Sequence, residues 1–446
     1  MTGGDPAGDT VGDTPGEIVL VGGEVVDAGG RRRADVLITG ATIREVGPGA
    51  AGAGAARPDA GRPHGRVVLD AAGCFVVPGF VDLFARLGEP GREQVETVRC
   101  ATAAAALGGY TAVLAQPDTD PPVDCAAALA EQHRLSAGAD CTVVATATLS
   151  AGRAGTRLAP FGELTAAGVR WFTDIGPPAD HRLLLRALEY LRPLGATVAV
   201  TPFTPALAAG TAMSEGAVSG RLGLRAEPAV SEEIAVDTAI ALAREADCRL
   251  HLDRISTAVA VDRLRRAKAD GVPVSASVSA QHLYFTDEHC AGFDPLLRAV
   301  PPYRRAADRE ALRAGVEDGT VDAVVSGHTP QPTEDTEQPF ELAPPGALAL
   351  QTAAAVALGS CGLTPAAAVR ALSRGPAELA GIADRFGRAV EPGAPANLTV
   401  FDPTAQWEPA VADLVSRSRN SPYLGLTLTG RVRHTIHEGR VAVCGG

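Results

Sequence analysis

Short apolar segments alternate with amphipathic stretches through most of this 446-residue chain, and that alternation is the strongest constraint on its fold. The apolar segments have the length and composition of buried strands, whereas the stretches between them have helical spacing. The predicted strands are 77–84, 111–116, 142–147, 168–173, 197–201, 249–252, 273–278 and 322–326. The clearest helical stretches are 93–107, 181–194, 231–246 and 258–270. This alternation predicts an α/β protein, a (β/α)8 barrel rather than an open doubly wound sheet.

Short β patterns separated by Gly-rich turns lie on both sides of the barrel pattern. They are 18–21, 24–26, 35–38, 42–46 and 67–69 before it, and 396–401, 424–428, 431–436 and 440–443 after it. The long interval after the fifth barrel strand leaves room for a loop insertion at 202–230. We therefore predict a disordered Gly/Asp/Thr-rich tail at 1–16, β segments at 17–76 and 389–446, and a barrel at 77–388.

Charge and cysteine usage narrow the functional class. A net charge of −12 disfavours nucleic acid and anionic membranes as partners. No apolar run reaches the roughly 18 residues of a membrane span, and the N-terminus lacks the basic and apolar regions of a signal peptide. The eight cysteines are scattered, without a C-x-x-C pair, which is typical of reduced thiols. We expect a cytoplasmic protein that binds neither nucleic acid nor membrane.

The first barrel strand and the loop after it, Val77–Gly91, resemble those of the dihydroorotases, cyclic amidohydrolases of the amidohydrolase superfamily. In that family the strand ends Asp-x-His-x-His and runs on into Leu-Arg-Glu-Pro-Gly. Asp82, Leu87 and Glu89–Gly91 match this pattern. Further segments resemble family motifs across nearly the whole chain: Gln116–Pro122, Gln281–Thr286, Val300–Arg304, Gly393–Leu398 and Ser416–Pro422.

The resemblance implies a composite β-sandwich, built from both ends of the chain, and a binuclear metal site where the barrel strands end. There the metals lower the pKa of a water and a carboxylate moves its proton. The positions that the family uses for ligands and for its catalytic aspartate hold Phe84, Arg86, Asp174, Ile175, Thr201, Arg254 and Gly327. Either Asp174 or Ile175 matches the family's bridging aspartate. We therefore predict no zinc, no identifiable catalytic residue, and an arginine, Arg86 or Arg254, paired with Asp174 or Asp253.

Substrate recognition is altered as well. In the family a loop arginine and an asparagine hold the substrate carboxylate, and these positions are Gly88 and Asp118 here. Losing the guanidinium removes a bidentate contact, and Asp118 adds a like charge. The predicted pocket positions are Gly88, Asp118, Asp253, His282, Val300, His328 and Gln331. We expect His282 and His328 to be hydrogen-bonded barrel histidines rather than catalytic groups.

Three functions are compatible with these residues. The first is a dihydroorotase homologue, inactive for that reaction, that supports an aspartate carbamoyltransferase in pyrimidine biosynthesis, as some non-catalytic relatives do. The second is a repurposed, metal-independent enzyme that binds a new substrate in the barrel mouth. The third is an active cyclic amidase of the dihydroorotase or hydantoinase type with an unusual site. We also expect a homo-oligomer.

Overall fold

The computed structural model describes residues 16–50, 52, 65–177 and 180–445. The predicted tail, 1–16, lies outside these ranges except for its last residue. Within the described ranges the eight predicted barrel strands are all present. In chain order, barrel strands 1 to 8 are Phe80–Ala85, Tyr110–Ala115, Thr142–Ala145, Trp171–Phe172, Thr197–Val200, Leu250–Leu252, Val274–Ser279 and Ala323–Val325.

The barrel closes through parallel contacts between neighbouring strands. Strands 1 to 3 form one hydrogen-bonded sheet and strands 4 to 8 form another. A bridge between Ala147 and Phe172 joins strand 3 to strand 4, and a bridge between Ala85 and His328 joins strand 8 back to strand 1. The predicted (β/α)8 barrel is therefore confirmed.

Helices surround the barrel and follow most of its strands. The longer ones are Val98–Leu107, Ala126–Leu135, Phe161–Ala166, His181–Leu191, Val230–Ala246, Ala258–Ala269 and Ala306–Asp318. Shorter helical segments are Pro205–Ala208, Ala217–Leu222, Ala280–Tyr284, Thr333–Thr336, Ala353–Ala355, Val356–Ser360, Pro365–Val369, Arg370–Arg374 and Gly375–Leu379. Single-turn 3-10 segments are Ala151–Arg153, Arg192–Leu194, Pro295–Leu297 and Val411–Asp413, and a longer one is Asp287–Gly292. The predicted insertion carries the first two of the shorter helices and the strand pair Met213–Ser214 and Ala226–Glu227.

Strands from both ends of the chain form the β-sandwich beside the barrel. One sheet has six strands in the order Arg440–Cys444, Leu428–His437, Leu398–Trp407, Phe75–Pro78, Glu24–Asp27 and Gly30–Arg33. The other has four, in the order Thr42–Gly47, Asp35–Thr39, Glu17–Val21 and Arg66–Asp70. Buried apolar residues of both sheets, among them Ile18, Ile38, Val76, Val400 and Ile436, form one core. The composite sandwich is thus present, while the predicted boundaries at 76/77 and 388/389 stay predictions.

Two strand predictions are wrong. The predicted strand 77–84 is not one strand, because it is interrupted at Gly79. Pro78 has no N–H to continue a ladder, and a Cβ on Gly79 would lie 2.3 Å from the Thr111 side chain. The chain therefore leaves the six-stranded sheet after Pro78 and enters the barrel at Phe80. The predicted strand at 424–428 is also missing, since the strand begins only at Leu428.

The barrel interior is packed with side chains rather than open. Leu83, Phe84, Leu114, Trp171 and Val325 belong to one buried apolar cluster. This packing is expected of a barrel of eight parallel strands, whose functional groups lie at the carboxyl ends of the strands. No helix in the described ranges is both long and apolar enough to cross a membrane.

Candidate functional site

The sequence-predicted site residues come together because they follow the carboxyl ends of barrel strands. Arg86 follows strand 1, Asp174 strand 4, Thr201 strand 5, Arg254 strand 6 and Gly327 strand 8. Parallel strands of a barrel place these ends at one face. We call this face the barrel mouth.

Arg254 lies across the barrel mouth and stacks on an aromatic ring. Its guanidinium carbon is 3.8 Å from the centroid of the Phe84 ring, which is 1% exposed. Arg254 takes a left-handed backbone conformation, with φ of 57°. Such a conformation is costly for a residue with a Cβ and marks a position that the surrounding contacts hold firmly.

Those contacts occupy all three nitrogens of the Arg254 guanidinium. Nε donates to Asp253 Oδ2 at 2.9 Å, Nη2 donates to Thr201 Oγ1 at 3.2 Å, and Nη1 donates to the Val300 carbonyl at 3.1 Å. Asp253 also accepts from Thr201 Oγ1 and from Ser277 Oγ. Arg254 and Asp253 are 9% and 7% exposed, so this is a buried ion pair with its polar atoms satisfied. It is the arginine–carboxylate pairing that the sequence predicts.

A second ion pair lies at the rim. Arg86 Nε is 3.0 Å from Asp118 Oδ2, with the two side chains 25% and 11% exposed. The geometry is that of an ion pair rather than an aligned hydrogen bond, because Nε has no partner that meets hydrogen-bond geometry. The extra negative charge of Asp118 is therefore compensated by Arg86 instead of facing the mouth alone.

Asp174 does not pair with either arginine, so that alternative in the prediction is wrong. Its Oδ1 accepts from the backbone N–H groups of Leu149 and Ser150 at 2.9 and 3.1 Å. Its Oδ2 accepts from Ser150 Oγ at 2.6 Å. The loop after barrel strand 3 thus satisfies this carboxylate, and Ile175, which follows it with φ of 58°, lines the mouth instead.

Glycines stand at the two positions where the sequence resemblance places the family's substrate arginine and catalytic aspartate. Gly88 has φ of 73°, and a Cβ there would lie 2.6 Å from the Glu96 carbonyl oxygen. Gly327 has φ of 66°, and a Cβ there would lie 3.1 Å from Gln281 Oε1. Both positions combine a left-handed backbone with little free space, so a side chain at either would be strained.

The two predicted barrel histidines are buried and hydrogen-bonded, and their lack of a catalytic role stays a prediction. His282 Nε2 lies 3.0 Å from the Pro301 carbonyl, so it carries the proton, and Nδ1 accepts from Ser279 Oγ at 2.7 Å. Burial lowers the pKa of His282 to about 3, so the ring is neutral. His328 accepts from the Ala349 N–H, and its Nε2 lies 3.5 Å from Glu96 Oε2. His282 lines the cavity at the barrel mouth, whereas His328 lies outside it.

Asp82, which matches the family motif of barrel strand 1, has a pKa that the sequence alone does not predict. Asp82 is fully buried, and burial raises its pKa to about 7. Oδ1 accepts from the backbone N–H of Ser326 at 2.9 Å, and Oδ2 is hydrogen-bonded to Ser326 Oγ. This carboxyl group therefore ties barrel strand 1 to the end of strand 8, below the mouth.

A cavity of about 190 Å³ occupies the barrel mouth. The predicted site residues that line it are Arg86, Ile175, Thr201, Arg254, His282, Val300 and Gly327. Those outside its lining are Phe84, Gly88, Asp118, Asp174, Asp253, His328 and Gln331. Gln331 is instead hydrogen-bonded to Asn420 Oδ1 and to the Pro345 carbonyl. Sequence reasoning misses Arg298 in the lining, because it lies in a loop two residues before the Val300–Arg304 motif.

Comparison with known proteins defines the class. The Dihydro-orotase-like family model matches residues 73–259, and the Amidohydrolase family model matches residues 195–442. A solved structure of an L-hydantoinase (dihydropyrimidinase) from Arthrobacter aurescens superposes with a TM-score of 0.85 at 21% identity, covering 96% of each chain. A dihydropyrimidinase from Brevibacillus agri superposes with a TM-score of 0.80 at 23% identity, covering 96% of this chain and 95% of the other. These two structures share the barrel and its sandwich, and the chain belongs to the amidohydrolase family.

Within that family the chain is a member of the dihydroorotase group. A dihydroorotase of Leifsonia xyli is 39% identical over 96% of each chain. A dihydroorotase of Mycobacterium tuberculosis is 38% identical over 93% of this chain and 96% of the relative. The resemblance found in the sequence motifs is therefore confirmed over almost the full length.

The prediction that the protein has no zinc is wrong. The chain belongs to a family whose dihydroorotase and hydantoinase members depend on zinc, and that membership speaks against a metal-free protein. The side chains do not identify where an ion would bind. In the part of the chain that the structure describes, no three or more His, Cys, Asp or Glu side chains are grouped so as to hold a metal. The mouth residues above therefore do not fit the family's histidine-rich ligand set.

Proposed function

We propose that this protein is a dihydroorotase homologue that does not interconvert carbamoyl aspartate and dihydroorotate, and that it acts as a structural partner of an aspartate carbamoyltransferase. The proposed inactivity rests on one observation, the two glycines Gly88 and Gly327. Gly88 and Gly327 replace the substrate arginine and the catalytic aspartate, and both lie in backbone that resists a side chain. The reaction would lack its carboxylate clamp and its proton carrier together.

The Arg254–Phe84 stack supports the same proposal. The guanidinium is fixed by Asp253, Thr201 and the Val300 carbonyl, so it is part of the wall and does not swing into the mouth. A buried pair with every nitrogen satisfied is costly to rearrange, because each broken contact leaves a buried polar group.

The partner role draws support from the outer surface. Apolar side chains are exposed on the outer helix Val230–Ala246, where Val230 and Ile234, about one turn apart, are 44% and 46% exposed. Exposed apolar side chains that lie close together mark protein interaction sites in soluble proteins. A carbamoyltransferase or a second copy of the chain would bury them.

Activity is tested with the purified chain in zinc-supplemented buffer, in both reaction directions. The Leifsonia xyli dihydroorotase, handled identically, is the positive control. We expect no turnover above the background, since residues that act as one catalytic unit fail together. Turnover that a chelator abolishes would overturn the inactive assignment and favour an active cyclic amidase.

The partner role is tested by mixing the chain with the aspartate carbamoyltransferase of the same organism. We expect a complex that survives size-exclusion chromatography and whose mass exceeds that of either component. Val230→Ser with Ile234→Ser should dissociate it without unfolding either protein. Separate elution of the two proteins at micromolar concentration would count against the partner role.

A further inference from the structure

The cavity at the barrel mouth has an unusual charge distribution. The described residues that line it include three arginines, Arg86, Arg254 and Arg298, and no aspartate or glutamate. Its volume, about 190 Å³, equals that of roughly six liquid water molecules. It is therefore smaller than the pockets of drug-sized ligands and suits a compact one.

Two of the three guanidiniums are balanced and the third is not. Arg86 pairs with Asp118 and Arg254 pairs with Asp253, whereas Arg298 has no carboxylate within salt-bridge distance in the described ranges. Arg298 donates instead to the backbone carbonyls of Ala343 at 3.1 Å and Thr211 at 3.0 Å. Burial lowers the pKa of Arg298, which reflects the cost of holding this cation without a counterion. An anion in the cavity would offset that cost.

A buried acceptor without a partner lies in the same wall. Gln281 is 4% exposed, and its Nε2 donates to the Ser326 carbonyl at 2.8 Å, which fixes the orientation of the amide. Its Oε1 has no hydrogen-bond partner among the described residues. This oxygen lies beside Gly327, another residue of the lining. A buried acceptor without a donor destabilises the folded protein. A ligand that places an O–H or N–H group near Oε1 would remove that cost.

We propose that the barrel mouth binds a compact oxyanion that also carries a hydrogen-bond donor. The oxyanion would lie against Arg298 and the cavity faces of Arg86 and Arg254, and its donor would reach Gln281 Oε1. Protonated phosphate and hydroxycarboxylates meet both requirements. Sulfate and plain dicarboxylates meet only the first. This binding role is independent of the scaffold proposed above, so either can fail without the other.

The experiment is calorimetric titration of the whole protein at low ionic strength with two matched pairs of probes. Inorganic phosphate is compared with sulfate, and malate with succinate, because each first member has a donor that the second lacks. We expect saturable binding of phosphate or malate that is at least about tenfold tighter than that of its donor-free counterpart. Binding of phosphate alone would assign the oxyanion as phosphate, and binding of malate alone as carboxylate.

Two variants locate the site. Arg298→Gln should weaken binding at least about tenfold, because it removes a charge-assisted contact. Gln281→Leu should abolish the preference for the donor-bearing probe. Arg170→Gln is the matched control, since Arg170 also donates only to backbone carbonyls, those of Thr165 and Val169, but precedes barrel strand 4 at the opposite end. Its affinity should equal that of the unmodified protein.

Specific results would contradict oxyanion binding at the barrel mouth. No saturable binding of phosphate or malate up to tens of millimolar would overturn it. Arg298→Gln binding as tightly as the unmodified protein would overturn it too. If Arg298→Gln does not fold, Gln281→Leu decides, because a retained preference for phosphate over sulfate or for malate over succinate would contradict the assigned acceptor.

Discussion

The guanidinium of Arg254 lies over the ring of Phe84, 3.8 Å from its centroid, and so joins the ends of barrel strands 6 and 1 across the mouth. Cation–π contacts are strongest when water is excluded, and both side chains are almost fully buried. This one contact links the two positions at which the sequence departs most clearly from the dihydroorotase pattern.

The stack should have a measurable coupling energy. In a double-mutant cycle with Phe84→Leu and Arg254→Gln, we expect about 1–2 kcal/mol of interaction in the free energy of unfolding by urea. Phe401→Leu, in the six-stranded sheet, is the control and should combine additively with Arg254→Gln. If the effects of Phe84→Leu and Arg254→Gln on the free energy of unfolding are additive, the ring contributes packing but no interaction with the guanidinium.

Asp82 should make stability fall as the pH rises. Its folded pKa of about 7 lies above the ordinary value of 3.8, so the folded state binds more protons than the unfolded state between these values. The free energy of unfolding should therefore decrease by up to about 1.4 kcal/mol per pH unit from this group. Asp82→Asn keeps the hydrogen-bonding shape and should remove that part of the slope in urea titrations at pH 4 to 8. Parallel stability curves for the two proteins would refute this.

Restoring the family's arginine at Gly88 should destabilise the folded protein. We expect Gly88→Arg and Gly88→Ala to lose at least about 1–3 kcal/mol, because the left-handed backbone and the contact with the Glu96 carbonyl both penalise a Cβ. Gly152→Ala is the control, because Gly152 has a similar φ of 61° and, beyond its chain neighbours, no heavy atom within 4 Å of the position that a Cβ would take. This variant should lose only the stability that the left-handed backbone costs a residue with a Cβ. Equal losses at the two positions, measured by urea denaturation, would show that the crowding at Gly88 is unimportant.

A buried charge network around Arg304 should respond to pH in the same sense once the arginine is removed. Arg304 Nη2 lies 3.1 Å from Glu227 Oε1 and 4.0 Å from Glu232 Oε2. Arg304→Met leaves two buried carboxylates without their cation and should cost about 3–5 kcal/mol at pH 8. Burial already raises the pKa of Glu232, so the variant should recover stability as the pH falls and the carboxyls protonate.

The control for this network is an exposed arginine. Arg265 pairs with Asp262 and Asp318 at the surface, and Arg265→Met should change the free energy of unfolding by less than about 1 kcal/mol at any pH. A pH-independent loss in Arg304→Met would indicate that packing, rather than charge, is what Arg304 supplies.

The sequence predicts the barrel well because a buried parallel strand is recognisable from its apolar run alone. It misses the break at Gly79, since the apolar run continues through it and the cause is a close approach to Thr111, distant in the chain. It predicts that an arginine at the barrel mouth pairs with a carboxylate, and Arg254 pairs with Asp253. It does not predict that Leu149 and Ser150 bind the Asp174 carboxylate. Their donors are backbone N–H groups, which almost every residue type has, so the residue types do not reveal the contact.

The break at Gly79 also bears on how the protein is made. Phe75–Pro78 pairs with Leu398–Trp407, and barrel strand 1 begins two residues after Pro78. The segment that leads into the first barrel strand is therefore paired with a strand that begins 320 residues later, from Pro78 to Leu398. Domains that are contiguous in sequence fold from the N-terminus as they emerge. Here the sandwich must wait until Leu398–Trp407 has emerged from the ribosome, so barrel and sandwich reach their final pairing only after the last barrel strand has been made.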